Sequence, residues 1–305
     1  MSEVKELEER LDRLLKARPD LADAGELQRE LLQQSYAERP NVRAPQLSEV
    51  GAQAKLANGV PLLHREDVNP DFEFCRDLFG RLLNRLQRRP QSAESASVIA
   101  RAAATELLDF ERALSEALVN HGDHLAELAI LSGAPAEALA SVLELVVRPP
   151  LQALGGALLT RVKSLEEWSR GYCPICGAWP GLAELQMAEQ HRHLRCLRCG
   201  ADWPARRLVC VFCGNDDFRS LGYLQVEREL RFRVELCERC KGYLKAGNAF
   251  EPNRPAALVL DDLASVHLDL AALERGYARP GPSGFRLEIG AYETAVSADA
   301  ALTDG

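Results

Sequence analysis

The chain has 305 residues, 37 Lys/Arg against 45 Asp/Glu for a net charge of −8, and 47 % apolar and 27 % charged residues. This length allows two domains, the composition excludes disorder throughout, and the acidic balance argues against a typical nucleic-acid binder. No apolar run approaches the roughly 18 residues of a bilayer span, and the charged start from Met1 to Leu7 has no apolar signal core, so a cytoplasmic protein without membrane insertion is expected.

Residues 1–168 read as an all-α helical bundle. Val4, Leu7, Leu11, Leu14 and Leu15 recur at helical spacing. Pro19 ends that run, and Asp20 is placed to cap a second helix over 21–34. The stretch 39–69 is rich in Pro, Gly and Asn and reads as irregular. Helical periodicity resumes over 71–88, and the Ala-rich run 92–120 reads as one long helix broken at Gly122. Further helices are expected over 124–131 and 135–147, with Pro149-Pro150 interrupting before a last helix over 151–168. Helices with short connections give a bundle, read here as a scaffold.

At Gly171 paired cysteines, glycines and arginines replace the Ala/Leu pattern. Short alternating runs over 183–187, 193–197, 223–226 and 230–236 read as strands. After 250, residues 257–262 read as an extended lead-in, with Asp261 or Asp262 capping a helix that ends near Gly276 and a loose tail from Gly281. The expected fold class is α+β: the bundle (1–168), two tandem rubredoxin-like or zinc-ribbon-like β modules (169–206 and 207–250), and a C-terminal strand, helix and tail (251–305).

Eight of the nine cysteines form four C-x-x-C pairs: Cys173/Cys176, Cys196/Cys199, Cys210/Cys213 and Cys237/Cys240. In a large chain of this kind the pattern points to metal or redox chemistry rather than disulfides. Nineteen residues separate Cys176 from Cys196, and 23 separate Cys213 from Cys237. A hairpin of that length returns a second thiol pair to the first, and two pairs complete a tetrahedron around one ion. Sequential pairing gives two four-cysteine sites, although interleaved pairing also satisfies the spacing. A tetrahedral four-sulfur site suits either iron or zinc.

Other residues carry less. Residues 171–250 hold twelve Lys/Arg against nine Asp/Glu, and Arg192, Arg195, Arg198, Arg206 and Arg207 are expected on a solvated face or a protein-docking patch. His191 and His193 read as solvated, His121 and His124 as capping or surface residues, and Cys75 as a small buried apolar group. Trp168, Trp179 and Trp203 read as packing around the thiols. No nucleophile–base constellation or nucleotide-binding motif is visible, so no enzyme activity is expected.

The segments Cys173-Pro-Ile-Cys176-Gly, Cys196-Leu-Arg-Cys199, Cys210-Val-Phe-Cys213-Gly and Cys237-Glu-Arg-Cys240-Lys-Gly-Tyr243-Leu244-Lys245 occur in that order. Asp261-Asp262-Leu263-Ala264-Ser265 and Gly276-Tyr277-Ala278-Arg279 follow. Together they resemble the formate dehydrogenase accessory protein family, FdhE, over about 170–280. The resemblance implies a cytoplasmic maturation factor that binds the catalytic subunit of formate dehydrogenase. It also implies iron in two mononuclear sites held by the eight paired cysteines, with self-association left open. Two readings compete with it: a zinc-ribbon protein that binds nucleic acid or assists transcription, and a dithiol oxidoreductase.

Overall fold

The computed structural model describes residues 3–285 except 38, 39, 41, 65, 67, 121, 161, 163, 164, 166, 167, 228, 282 and 283, and the side chains of 3 and 34–37 are not described. His121 and nearly all of the expected tail lie outside the described residues. Among those residues, eight helices come first: α1 (Glu3–Ala17), α2 (Ala22–Ala37), α3 (Glu49–Ala57), α4 (Phe72–Leu86), α5 (Ala93–Ala104), α6 (Phe110–Leu118), α7 (Gly122–Ser132) and α8 (Ala136–Leu159). Six strands follow: β1 (Leu182–Gln186), β2 (His191–Arg195), β3 (Asp202–Pro204), β4 (Leu221–Leu224), β5 (Phe232–Cys237) and β6 (Tyr243–Ala249). Helices α9 (Pro255–Ala264) and α10 (Val266–Leu273) come last.

The helices differ from the sequence reading in several places, and α8 ends at Leu159 where a helix to 168 is expected. Asp20 lies in a single 3-10 turn, Pro19–Leu21, and accepts from Arg18 instead of capping α2. The Pro/Gly-rich stretch contains α3, capped by the Ser48 hydroxyl, which accepts from the Gly51 N–H at 3.0 Å. The Ala-rich run is two helices. Glu106 turns the chain at φ 58°, and the Asp109 carboxylate restarts it by accepting from the Arg112 N–H. Helix α8 runs straight through Pro149 and Pro150, both buried. Each proline removes one helical hydrogen bond, yet Val146, Val147, Leu151, Leu154 and Leu158 are all at most 1 % exposed, so packing outweighs local preference. By length and composition α8 is also apolar enough to cross a bilayer, but 56 % of that window is buried inside the fold, as in the core helix of a globular domain.

The strands form one six-stranded sheet in the order β3-β2-β1-β6-β5-β4. Each β module is an antiparallel unit, and the two join where β1 runs parallel to β6, with Leu182 opposite Lys245 and Gln186 opposite Ala249. The expected lead-in at 257–262 is helical: Pro255 sits in the first turn of α9, where its missing N–H costs nothing. Asp261 and Asp262 therefore lie inside a helix and do not cap one.

The main core runs from α4–α8 without a break into the first half of the sheet. A second cluster packs β5 and β6 on α10 and Tyr277, and a third packs α1 and α2 on α9.

Candidate metal centres

The structure brings the eight paired cysteines into two groups: Cys173, Cys176, Cys196 and Cys199, and Cys210, Cys213, Cys237 and Cys240. Within each group all Sγ atoms lie within 4.8 Å of one another. The cross-pair distances are 3.4 Å (Cys173–Cys199) and 3.5 Å (Cys176–Cys196) in the first group, and 3.6 Å (Cys210–Cys240) and 3.8 Å (Cys213–Cys237) in the second. A tetrahedron with metal–sulfur bonds near 2.3 Å has edges of about 3.8 Å, so both groups fit one ion each. The pairing is sequential, one group per module.

Each thiol pair sits on a tight turn. The Gly177 N–H donates to the Cys173 carbonyl, and the Cys173 N–H donates to that of Ala178. Gly200 and Ala201 repeat the pattern on Cys196, and Gly214 and Asn215 on Cys210. Gly177, Gly200 and Gly214 have φ of 73°, 77° and 69°, a region open to glycine at little cost. The fourth turn puts Lys241 there at φ 55°.

The first centre is enclosed. Its cysteines are 0–7 % exposed and belong to the main core. Helix α8 roofs it so closely that a Cβ on Gly155 would lie 2.3 Å from the Cys199 carbonyl oxygen. The segment after α3 stitches to its first turn: Leu62 and Leu63 donate N–H bonds to Pro174 and Ile175 at 2.8 and 2.9 Å. Gly284 and Phe285 both donate to the Gly177 carbonyl, which fixes the start of the tail expected to be loose. Trp168 and Trp203 are buried in the same core, in keeping with their expected role around the thiols.

Burial pushes the Cys173 and Cys199 thiols well above their ordinary value, whereas hydrogen bonds from Cys173, Cys196 and Cys199 hold Cys176 well below it. Four converging sulfurs form a donor set that a cation would complete and ionise.

The second centre is open. Cys210 and Cys237 are buried but Cys213 and Cys240 are exposed. Burial pushes Cys210 up. It acts on Cys237 too, but the backbone N–H groups of Cys240 and Arg239 outweigh it and bring that thiol down to about 7. The Asn215 amide reaches the Cys237 sulfur at 3.7 Å. Sequence reasoning missed this residue, although an amide directly after Cys213-Gly214 is a readable signal.

Three of the five arginines expected on a solvated face are buried and spoken for. Arg192 bonds Glu235 on β5 at 2.7 Å and the carbonyls of Arg206 and Val209. Arg195 pairs with Glu184 and donates to the Asn253 carbonyl. Arg198, beside the first centre, donates to both oxygens of Glu144 and to the Ala117 carbonyl. Burial opposes its charge, but Glu144 and the thiols of Cys176 and Cys196 hold its pKa above the ordinary arginine value. Only Arg206 and Arg207 remain exposed. His193 is tied to Asp202 at 2.5 Å, His191 is exposed, and His124 contacts Glu116 at the surface. Cys75 is buried in α4, where burial pushes its thiol up to about 12.

The later segments quoted for the resemblance meet in one polar network. Lys245, fully buried on β6, contacts Asp269 at 2.5 Å and Asp262 at 2.8 Å. Arg279 holds the same two carboxylates, and the Tyr243 hydroxyl donates to Asp269. Every charge there is matched, so the network clamps α9 and α10 to the sheet.

Comparison with known proteins follows this geometry. The family model described as FdhE, C-terminal domain, matches residues 208–285. The chain is 36 % identical over 118 residues to an FdhE homolog of Aquifex aeolicus, covering 37 % of this chain and 41 % of that protein. It is 32 % identical over 120 residues to protein FdhE of Escherichia coli, covering 38 % of each. The matched stretch thus spans about two fifths of the length of these relatives. The crystal structure of the FdhE protein from Pseudomonas aeruginosa superposes with a TM-score of 0.58 at 25 % identity, covering 90 % of this chain and 92 % of that one. The chain is thus similar to FdhE proteins in sequence over its C-terminal part and in fold along nearly its whole length.

Proposed function

We propose that the chain is a cytoplasmic accessory protein that binds the catalytic subunit of formate dehydrogenase during its maturation. In this reading the eight paired cysteines hold two mononuclear metal ions, with iron as the resident metal and zinc as its chemical rival. The observation that carries the reading is the pair of centred four-thiol groups in a fold like that of the FdhE protein from Pseudomonas aeruginosa. The bound ion would supply a fixed charge and, if iron, one-electron chemistry. The chain's own residues hold it, exclude water from the first centre and leave two thiols of the second at the surface. No catalytic step is assigned, and the buried, paired arginines on β2 and in the turn after it remove the main support for a nucleic-acid face.

The test is metal content and a visible spectrum on anaerobically purified protein, with affinity capture of the catalytic subunit by the tagged chain. About two irons per chain, thiolate-to-iron bands on oxidation, and capture weakened by Cys213→Ser are expected. Two colourless zincs would overturn the metal assignment, and capture of nothing by the metal-loaded chain would overturn the accessory role.

A further inference from the structure

The junction of α2, α8 and α9 holds a cleft that the metal centres do not use. Its enclosed neck has a cavity volume of about 20 Å³, room for about one water or one carboxylate oxygen, and it opens into a mouth that brings the empty space, solvent included, to about 340 Å³. Each helix offers one face to it: Leu31 and Leu32 beside Gln28 on α2, Arg148 and Gln152 on α8, and Val259 on α9. Residues 148 and 152 are one helical turn apart and share a face.

Arg148 is the unusual member. Its Nε is buried without a partner, and among the described residues its guanidinium makes no hydrogen bond or ion pair. The carboxylates near it are Glu144 and Asp262. Glu144 is taken by Arg198, and Asp262 by Lys245 and Arg279. Gln28 and Gln152 are likewise without hydrogen-bond partners among the described residues. The Nε donor is taken out of water with no acceptor in reach, which costs free energy, while Glu144 and Asp262 act on the charge only from a distance.

We propose that this cleft binds a carboxylate group carried on a small apolar body. The planar guanidinium of Arg148 accepts a carboxylate as a bidentate pair. The Gln28 and Gln152 amides can donate to its flanks, and Leu31, Leu32 and Val259 suit the hydrocarbon. One cation with two neutral amides matches a monoanion; a phosphate dianion calls for more positive charge. The cleft adjoins the first centre: a Cβ placed on Gly200 would lie 2.5 Å from the Pro255 ring at the start of α9 and 3.9 Å from the Gln152 Cγ. An occupant would therefore tie the α1–α2 hairpin to the wall behind that centre.

The carboxylate can come from a free acid or from a peptide C-terminus, and calorimetry on the full metal-loaded chain separates the two. The probes are butyrate, chloride and sulfate, then an apolar tripeptide with a free or an amidated C-terminus. Saturable binding of butyrate, or of the free but not the amidated peptide, is expected. It should bring a rise in Tm of about 5 °C at a hundredfold excess over Kd. Arg148→Gln should weaken binding at least about tenfold, and Arg148→Lys should weaken it too, because the charge stays but the fork is lost. Gln152→Leu, which leaves the arginine in place, should cost about threefold. The proposal is overturned if none of the carboxylates binds saturably, if chloride and sulfate act equally, or if the Arg148 variants that fold bind as well as the parent. Should neither Arg148 variant fold, undiminished binding by Gln152→Leu overturns it.

Discussion

The two metal centres have the same ligand pattern and opposite surroundings. The first lies in the main core beneath α8, with every thiol buried, an arginine–glutamate pair beside it and backbone bonds from residues 62, 63, 284 and 285. The second sits at the rim of the sheet, outside every buried apolar cluster, with Cys213 and Cys240 in solvent. The C-x-x-C spacing chooses the ligands. The packing around them decides whether the ion is part of the core or a surface feature, and that outer shell tunes access and affinity.

The largest expected effect separates the centres directly. Cys173→Ala should destroy cooperative folding, because it removes a ligand where metal binding and core packing are one event; binding at structural sites of this kind is worth on the order of 10 kcal/mol. Cys213→Ala should lose one ion and keep the near-native far-ultraviolet dichroism and a cooperative thermal transition. Equal damage from both changes would erase the distinction. A chelator should likewise strip one ion quickly and the other only as the chain unfolds.

Glycine substitutions give a smaller contrast. Gly155→Ala drives a methyl into the Cys199 carbonyl, and overpacking of that kind costs about 1–3 kcal/mol. Gly214→Ala meets nothing within 4 Å and pays only for its φ of 69°, about 1 kcal/mol. Denaturant midpoints should rank them in that order, and a reversal would mean that α8 does not seal the first centre.

How far the sequence reaches follows the same division. Thiol spacing and the alternation in β2 and β5 were legible because each is a local rule. Helix α3 was hidden because its cap, Ser48, stands among prolines and glycines. The break before α6 was hidden because an Ala-rich run looks continuous until Asp109 is seen to cap. Strand β6 holds Lys245, Gly247 and Asn248, poor strand formers, and exists because β1 and β5 bond to it from both sides. The burial of Arg192, Arg195 and Arg198 depends on Glu235, Glu184 and Glu144, partners 43, 11 and 54 residues away. No pattern along the chain shows that a charge is already matched at such a distance.

Titration should sharpen the comparison further. Cys237 falls to about 7 in the fold from an ordinary 9.0. Its thiolate form is therefore favoured by folding: that contribution is complete above pH 9 and is lost as pH falls through about 7. In the first centre burial raises Cys173 and Cys199, so for those two thiols folding favours the neutral form and the sign is opposite, whereas Cys176, held low, follows Cys237. After a chelator has stripped the open centre, cobalt uptake followed by its thiolate absorption should accelerate as pH rises through about 7. Cys237→Ser should abolish that step. A flat rate between pH 6 and 8 would show that Cys237 is not the first ligand to ionise.

The smallest effect tests the one turn that breaks the pattern. Three of the four thiol turns use glycine at positive φ; the fourth uses Lys241. An L-residue pays for that conformation where glycine does not, but glycine also frees the unfolded chain, so the two terms largely cancel. Lys241→Gly further removes an exposed pair with Glu238 and a contact of the ammonium over the Tyr277 ring, both weak in solvent. A change in Tm of no more than about 2 °C in either direction is therefore expected. The reverse exchange at the first centre, Gly200→Lys, would set a Cβ 2.5 Å from the Pro255 ring and should prevent folding. A large loss from Lys241→Gly would show that the open centre leans on the Lys241–Glu238–Tyr277 contacts, and that its turn is held from outside as firmly as the buried one.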